Sequence, residues 1–341
     1  MPSVRALTYF SPSLEADKNL YHFMQVIKEL ETKTSLNPWT IRFTLKGNWR
    51  RIRELCNREY LVEAYHETLE EVEIEELNEY LKCRNFFADI IIAGFPDTDK
   101  ITQIYDSIIN TLGYEPLTRV GFSIGGSIET PYYPISFPLR NGVSAALRYA
   151  DLLSNTPTEN WISTASSYFR EVEEEAHKVA SLLNVEYLGL DVSISPWMDE
   201  SVLSIINRFT DAPFPGPGSA YAIKKVNEFI RKAGVSAGIK LLGFNEVMLP
   251  VGEDNGLKDL VRGKLLTLKD LLALLPYCLV GIDMVALKFD PRVIKGVFRD
   301  AYVASKVKGK VIGVRLIPVV DEVSEVHIDK FGDIPVIDSG L

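Results

Sequence analysis

Apolar positions along the chain follow two spacings, and each spacing predicts its own kind of element. Short apolar runs rich in β-branched residues predict strands, whereas apolar positions three and four residues apart predict amphipathic helices. The expected strands are 4–10, 39–45, 88–94, 117–124, 187–194, 244–251, 281–287, 311–319 and 334–338. The expected helices are 18–34, 99–112, 141–154, 163–183, 217–233, 267–275 and 291–306. Strands that alternate with helices in this order predict an α/β fold.

Three of these helices carry sequence signals at their ends. Asp290 is the expected N-cap of one, with Pro291 at its first helical position. Thr267 and Asp270 have the spacing of a capping box, and Pro217 with Gly234 predicts the first and last turns of another helix. Residues 46–86 depart from the general pattern, because they read as a basic helix followed by an acidic one. We expect two solvated amphipathic helices there, forming a surface excursion or an oligomer contact. With no clear linker, residues 1–341 are predicted to form a single domain.

The two faces of several expected strands differ in polarity. Successive side chains of a strand point to opposite faces, so each strand separates into an aliphatic face and a face of small and charged residues. Because helices between the strands cover at least one face, we expect the polar faces to look into a barrel or a cleft. The polar faces carry Arg42, Arg119, Ser123, Asp191, Ser193, Asp283 and Arg315.

These polar faces have two interpretations. Buried charges are costly unless they pair with each other or with a ligand. In the first interpretation the arginines bind a small anionic ligand in the interior. In the second, arginines and aspartates pair only with one another and hold the strands in register, and both can be true of one network.

Two further segments are candidate binding positions. Gly218 and Ser219 begin an expected helix, where free backbone N–H groups attract anions, although an ordinary helix start gives the same pattern. Glu253 and Asp254 stand side by side after an expected strand. They are expected either to cap the next helix or to act as acid and base, or as oxygen ligands for a divalent cation.

Composition excludes several classes of protein. The chain has 341 residues and a formal net charge of -9, which argues against the basic surfaces of nucleic-acid-binding proteins. No apolar run is long enough for a membrane span, and no signal peptide is recognised, so a cytoplasmic location is expected. Three cysteines without CxxC spacing predict neither a disulfide nor a zinc site. The segment "GFSIGG" lacks the GxGxxG dinucleotide fingerprint, so the cofactor stays unknown.

Several segments together resemble the family known as domain of unknown function 711: "WTIRFTL", "TPYYPISFP", "YLGLDVSISP", "DAPFPGPGSA", "GFNEVMLPVGEDNGL", "YCLVGIDMVALKFD" and "VRLIPV". The resemblance implies an α/β barrel of about ten strands with outer helices, like that of pyruvate formate-lyase and other glycyl-radical enzymes, with 59–65 as a tenth strand. This chain has Gly252 where family members often have cysteine, so thiol chemistry is not carried over. No glycyl-radical motif is expected, because the nearest match, 119–122, lies mid-chain.

The leading functional hypothesis is an enzyme that acts on a small anionic metabolite. Two alternatives remain: a non-catalytic small-molecule-binding or regulatory protein, and a structural oligomer that uses residues 46–86. The expected acid/base or cation-binding residues are Asp191, Asp283, Glu253 and Asp254. The expected substrate-binding residues are Arg42, Arg119, Ser123, Ser193, Gly218, Ser219 and Arg315.

Overall fold

The computed structural model describes residues 4–14, 17–33, 36–277 and 280–340, and within these ranges eleven strands and ten α-helices are present. The strands β1 to β11 are Val4–Ser11, Pro38–Leu45, Leu61–Thr68, Phe86–Ile92, Val120–Ile124, Gly142–Leu147, Glu186–Asp191, Gly281–Lys288, Ile312–Val319, Glu325–Ile328 and Gly332–Ile337. The helices α1 to α10 are Asp17–Lys33, Ile74–Leu81, Thr98–Leu112, Ala150–Ser154, Trp161–Leu182, Leu203–Ile206, Ser219–Ala237, Asn255–Arg262, Leu268–Leu274 and Pro291–Lys308.

All eleven strands belong to one sheet, in the order β10-β11-β8-β9-β5-β4-β3-β2-β1-β6-β7. Its middle, from β1 through β5, is parallel, and antiparallel pairs join β1 to β6, β5 to β9 and β10 to β11. The α/β class is therefore confirmed. The sheet differs from the expected barrel of about ten strands in being open, with β10 and β7 at its ends. Beyond β7, the pairing continues in the described part of the chain only as isolated bridges at Leu241 and Val247.

The sheet curves strongly around one face. Strands β1 and β9 are five positions apart, which would separate them by about 24 Å in a flat sheet with strands about 4.8 Å apart. One carboxylate nevertheless contacts both strands, since Glu253 lies 2.6 Å from Arg5 of β1 and 2.8 Å from Arg315 of β9. The face on which these residues meet is the concave face, and the helices pack on the other side.

Aromatic packing between the helices and the convex face fixes the outer layer. Tyr105 of α3 and Phe298 of α10 both contact Phe122 of β5, with ring centroids 5.5 and 4.9 Å apart. These three side chains are fully buried. Burying an aromatic side chain of this kind contributes roughly 1.5–3 kcal/mol to stability. The contacts also show that the aliphatic face of β5 lies under helices, as the sequence predicts.

The helix-end signals are confirmed at two sites and corrected at a third. Asp290 caps α10, which begins at Pro291. Thr267 and Asp270 form the expected capping box at the start of α9. Helix α7 begins at Ser219 and ends at Ala237, and the residue after it, Gly238, has a φ of 70°. The helix thus runs one turn beyond the expected end at Gly234, because glycine in the left-handed region stops a helix more effectively than glycine within one.

Two predicted elements are wrong. Residues 141–154 were expected as a helix, but they form β6, Gly142–Leu147, and then the short helix α4, because a run of small apolar residues fits a buried strand as well as a helix. Residues 244–251 were expected as a strand, but they make only isolated bridges to the segment around β7 and end in a 3-10 turn, Val251–Glu253.

Residues 46–86 contribute to the sheet. The basic part forms a 3-10 helix, Trp49–Leu55, the acidic part forms α2, and β3 lies between them in the middle of the sheet. A disulfide joins Cys56 to Cys83 across this region, with their Cα atoms 5.0 Å apart. The prediction of no disulfide is therefore wrong. Strand pairing brought together two cysteines whose sequence spacing carried no signal.

Two remaining expectations concern cysteine and membranes. Cys278, expected as a small buried hydrophobe, lies outside the described residues. Across the ranges given above, no helix combines the length and apolarity that a membrane crossing requires.

Candidate functional site

A chain segment that belongs to no helix or strand fills part of the concave face. This interior segment, residues 129–137, follows β5 and carries the aromatic and proline-rich sequence between Glu129 and Phe137. Two strand glycines make room for it. A Cβ atom on Gly121 would lie 2.5 Å from Cγ2 of Ile135, and one on Gly313 would lie 2.6 Å from Cδ1 of the same residue. These two strand glycines therefore make room for a side chain of the protein itself and not only for a ligand.

Hydrogen bonds from β2 and β3 hold the interior segment in place. The carboxylate of Glu63 accepts from the backbone N–H groups of Ile135 at 2.7 Å and Ser136 at 3.1 Å. Oγ1 of Thr44 lies 3.0 Å from the hydroxyl of Tyr133. Ile135 has a φ of 93°, a strained conformation for a β-branched residue that costs about 1–3 kcal/mol. Such strain persists only where the surroundings fix the backbone, so the interior segment is firmly positioned.

Buried carboxyl groups lie beneath the interior segment. Burial raises the pKa of Glu63 well above its ordinary value, and the nearby Asp89 adds to the rise. Burial also raises the pKa of Asp89 to about 7. Ser123, a predicted binding residue, donates to Asp89 at 2.7 Å. Ser123 therefore serves this buried cluster and does not line the cavity described next.

A cavity of about 190 Å³ lies between the interior segment and the strands of the concave face. Six basic side chains and three acidic ones line it among the described residues, so its walls carry an excess of positive charge. The basic residues are Arg5, Arg42, Arg84, Arg119, Arg315 and Lys330, and the acidic ones are Glu115, Glu253 and Asp283.

A chain of ion pairs crosses one side of the cavity. Glu253 lies between Arg5 and Arg315, at 2.6 and 2.8 Å. Arg315 also binds Asp283 through two hydrogen bonds, Nε to Oδ1 at 2.6 Å and Nη2 to Oδ2 at 3.0 Å. The side chains of Arg5, Arg315 and Glu253 are each 7% exposed, whereas Asp283 is 20% exposed. This row of ion pairs therefore buries three charges and leaves Asp283 accessible from the cavity.

The two carboxylates in this row of ion pairs, Glu253 and Asp283, have opposite pKa shifts. Burial alone would raise the pKa of Glu253, but Arg315 and Arg5 hold it below its usual range. Burial raises the pKa of Asp283, and the charge of Glu253 adds to the rise, although Arg315 opposes it. Two acids whose environments separate their pKa values in this way can take different roles, one permanently ionised and the other exchanging a proton.

Among the described residues, three other cations that line the cavity lack a carboxylate partner: Arg42, Lys330 and Arg84, which is exposed. Arg42 of β2 donates to Oγ1 of Thr40 and to the carbonyl of Pro131, and its guanidinium lies 5.1 Å from the ring centroid of Tyr133. Burial lowers its pKa to about 10, and repulsion from Arg5 contributes. Within the part of the chain that the structure describes, neither Arg42 nor Lys330 forms an ion pair.

Lys330 lies in the turn between β10 and β11. Loss of hydration lowers its pKa, Glu253 opposes the fall, and Arg42, Arg5 and Arg315 add to it. Its ammonium group is therefore near the same cationic cluster. A cluster of like charges facing one space is unfavourable unless an anion enters that space.

Arg119 lines the cavity but is committed to the protein. Its guanidinium donates to the backbone carbonyls of Leu81, Cys83 and Phe86 and to both oxygens of Glu115. Every N–H direction of the group is thus directed at protein acceptors. Arg119 fits the interpretation in which a polar strand face holds neighbouring elements in register.

Of the eleven predicted site residues, the structure brings five together around the cavity, namely Arg42, Arg119, Glu253, Asp283 and Arg315. The other six, Ser123, Asp191, Ser193, Gly218, Ser219 and Asp254, do not line it.

Asp191, one of the predicted acids, is held by hydrogen bonds within the protein. Its carboxylate accepts from Ser193 and Thr130 and from the backbone N–H groups of Phe244 and Asn245. These bonds join the end of β7 to the segment that follows α7. Ser193 is engaged in the same network and donates to Asp191 at 2.6 Å.

Asp254 and the start of α7 also have structural roles. The carboxylate of Asp254 caps α8 by accepting from Leu257 and also accepts from the backbone of Val202. Gly218 has a φ of 97° and precedes α7, and Ser219 donates to the carbonyl of Gly216. Asp254 therefore caps a helix, which was one of its two expected roles. Residues 218–219 form an ordinary helix start.

Several residues of the cavity were not predicted from the sequence. Arg5 is an arginine in an otherwise apolar strand, which is the same signal that identified Arg42 and Arg315. The interior segment could have been recognised from "TPYYPISFP", which fits neither a helix nor a strand period. Lys330 carries no such signal, since an exposed lysine in a turn is ordinary. Across the described ranges, no group of three or more His, Cys, Asp or Glu side chains could hold a metal ion.

The curved sheet and its cavity define an α/β protein with a basic interior cavity. The chain belongs to the family described as Uncharacterised ACR (DUF711), whose model matches residues 141–326. The family resemblance inferred from the sequence is thereby confirmed. The likeness to the pyruvate formate-lyase barrel stays a prediction.

Relatives of the chain carry the name UPF0210 protein. One from Lachnoclostridium phytofermentans is 32% identical over 176 residues, which is 50% of this chain and 37% of the relative. One from Neisseria gonorrhoeae is 29% identical over 182 residues, 52% of this chain and 40% of the relative. One from Methanopyrus kandleri is 34% identical over 159 residues, 46% of this chain and 35% of the relative. The matched segment therefore covers less than half the length of each of these relatives.

Proposed function

We propose that the protein is an enzyme that binds a small anionic metabolite in the cavity of the concave face. The observation that carries this proposal is the pair Arg42 and Lys330, two cations that share the cavity and form no ion pair within the described residues. Arg42 is 7% exposed, so its charge has lost most of its hydration. A cation buried without a counter-ion is costly, and a bound anion would remove that cost.

The charge balance of the cavity supports the same proposal. The three lining acids each contact an arginine: Glu115 binds Arg119, and Glu253 and Asp283 share Arg315. After these pairs are formed, the cations that remain without an acid exceed the acids that remain without a cation. An anion of charge -1 or -2 fits this excess, whereas a cation would meet repulsion.

Asp283 is the group best placed for proton transfer. Its raised pKa brings it closer to neutral pH than an ordinary aspartate, and its side chain is 20% exposed toward the cavity. Glu253 stays ionised and keeps Arg315 charged and oriented. We therefore assign Asp283 as general acid or base and Glu253 as a positioning residue.

Thermal unfolding with a panel of carboxylates and inorganic phosphate tests the binding step. A ligand at about 100 times its Kd adds about 2.7 kcal/mol to stability. At about 2.1 cal/mol/K per residue, this raises the Tm of a 341-residue chain by about 4 °C. Arg42→Gln should abolish the rise, and Arg50→Gln, at an arginine whose side chain is 54% exposed, should keep it. If no anion raises the Tm of the unmodified protein, the proposal is wrong.

A non-catalytic binding protein is the second candidate, and one observation favours it. Both hydrogen bonds from Arg315 to Asp283 occupy carboxylate oxygens, as in a purely structural ion pair. Mass spectrometry of the ligand recovered after incubation separates the two candidates. Chemical change that Asp283→Asn abolishes supports the enzyme, and an unchanged ligand supports the binding protein.

The structural-oligomer proposal receives less support. The apolar side chains of residues 46–86, such as Trp49, Leu55 and Tyr80, are buried against the chain's own core. The outer surface of these helices is largely charged and makes local ion pairs, including Arg50 with Glu76. Gel filtration of the intact chain tests this proposal, and a single monomer peak would refute it.

A further inference from the structure

We infer that the metabolite is a carboxylate attached to a single apolar or aromatic ring, and this inference rests on the proposed anion site. Arg42 and Lys330 account for only one part of the cavity wall. The remaining wall combines the ion-paired side chains described above with many rings and aliphatic groups. The ligand should therefore combine one anionic group with one compact apolar body.

Aromatic side chains supply much of that wall. Besides Tyr133, which stacks on Arg42, rings line the cavity from Trp39, Phe87, Tyr132, Trp197, Phe244 and Phe331. A small apolar cluster that is separate from the main core supplies five of the lining residues, namely Tyr132, Ile135, Phe244, Met248 and Val280. A separate apolar cluster that faces an open cavity gains stability when an apolar group covers it.

Four of the five hydroxyl-bearing residues that line the cavity are hydrogen-bonded to carbonyl or hydroxyl groups of the protein, and the fifth is Ser195. Thr118 donates to the carbonyl of Glu115, and Thr40 donates to the carbonyl of Arg5. The hydroxyl of Tyr133 is hydrogen-bonded to Thr44, and that of Tyr132 reaches Leu147 and Ser193 carbonyls at 3.4 Å. A polyhydroxylated ligand such as a sugar phosphate would find few free hydroxyl partners here, and each of its hydroxyl groups that stays unpaired costs about 1–3 kcal/mol.

The size of the cavity fits one ring and one carboxylate. An apolar cavity of about 150 Å³ accommodates benzene. The cavity here is about 190 Å³, so a six-membered ring leaves room for one small charged group near Arg42 and Lys330. Benzoate is the simplest probe of the inferred class.

Calorimetric titration of the intact protein tests the inference. The ligands are benzoate, acetate, succinate, inorganic phosphate and the neutral benzyl alcohol. Benzoate should bind at least about tenfold more tightly than acetate, because burying the ring contributes at least the ~1.4 kcal/mol that a tenfold change represents. Benzoate should also bind at least about tenfold more tightly than benzyl alcohol, because only its charge meets the two cations.

A pair of lysine variants locates the binding. Lys330→Gln should weaken benzoate at least about fivefold, since it removes a charge-assisted contact. The matched control is Lys288→Gln, at a lysine that is 63% exposed and pairs with Glu322, and it should leave the affinity unchanged. Both lysines lie at the surface, so both variants are expected to fold.

The outcomes separate the inference from the proposed function. If acetate, succinate or phosphate binds as tightly as benzoate, and Lys330→Gln weakens that binding, the ring is not recognised and only the inference fails. If none of the four anions binds, the proposed anion site fails as well. Equal affinity for benzoate and benzyl alcohol would overturn the role given to the two cations.

Discussion

Replacing Glu253 with glutamine should destabilise the protein more than any other single isosteric change at an acid in the cavity. Glu253 is the only lining acid among the described residues that contacts two buried arginines, Arg5 and Arg315. Glutamine keeps the shape and one acceptor oxygen but removes the charge. Arg315 would retain Asp283. Arg5 would keep the carbonyl of Pro196 and the rings of Trp39 and Trp197 but no carboxylate. The variant therefore leaves one buried guanidinium without a counter-ion.

The size of the effect follows from burial. Removing one partner of a buried ion pair costs about 3–5 kcal/mol, and the oxygen that glutamine retains places the cost near the lower end. With about 2.1 cal/mol/K per residue, a 341-residue chain loses roughly 1 °C of Tm for each 0.7 kcal/mol. A cost of about 3 kcal/mol therefore predicts a fall in Tm of about 4 °C at pH 7.

The pH dependence gives a second readout. The pKa of Glu253 is lower in the folded protein than its unfolded value of about 4.3. A depressed carboxyl pKa contributes stability that is fully present above the unfolded pKa and is lost as the pH falls through the folded pKa. The difference in Tm between the protein and Glu253→Gln should therefore be constant from pH 5 to 7 and shrink below about pH 4.

Differential scanning calorimetry across this pH range is the assay. The control is Glu79→Gln, at a glutamate that also contacts two basic residues, Arg53 and Lys82, but in solvent. Exposed ion pairs contribute little, so this variant should unfold at the same temperature as the unmodified protein. A fall below about 1 °C for Glu253→Gln at pH 7 would refute the argument that the two arginines depend on its charge.

Two further predictions concern the framework around the cavity. Reducing the bond between Cys56 and Cys83, which closes a sequence separation of 27, should lower the free energy of unfolding by about 3–4 kcal/mol from chain entropy. Urea midpoints with and without dithiothreitol measure this, and a variant with serine at both positions should show no dependence on the reductant. Gly121→Ala should cost about 1–3 kcal/mol because its Cβ would meet Ile135 at 2.5 Å. The matched Gly296→Ala has no atom within 4 Å and should instead stabilise α10 by about 0.5–1 kcal/mol; equal unfolding midpoints for the two alanine variants would contradict the packing argument.

The sequence predicts those parts of the fold that depend on local periodicity. Strands β1, β8 and β9 and helices α1, α3 and α10 lie within a few residues of their expected ranges. The errors occur where small apolar residues carry no period, as in β6, and where strand pairing is interrupted, as at 244–251. In these places the local pattern fits two structures, and contacts with distant strands select one of them.

Only part of the candidate site was predicted from the sequence, again because a local pattern does not determine contacts with distant residues. An arginine in an apolar strand, such as Arg42 or Arg315, is visible in the sequence because alternation assigns it to a face. Alternation does not reveal which groups fill the space that the face encloses. The interior segment takes most of the hydrogen-bonding capacity of Thr44 and Glu63, and the ladder irregularity after Asp283, where Met284 has a φ of 51°, breaks the regular alternation of β8.

The polar strand faces therefore do two kinds of work that the sequence does not separate. Where a polar side chain meets the backbone of the interior segment, as Glu63 does, it fixes the shape of the cavity. Where all its partners are neutral, as for Arg42 with Thr40 and the carbonyl of Pro131, the cavity is left with positive charge that the protein does not balance. Lys330, in the turn between β10 and β11, adds to this charge. Both effects depend on the curvature that brings β1 and β9 to the same carboxylate of Glu253. A flatter sheet would expose these cations to water, where they would have no more preference for an anion than any surface arginine.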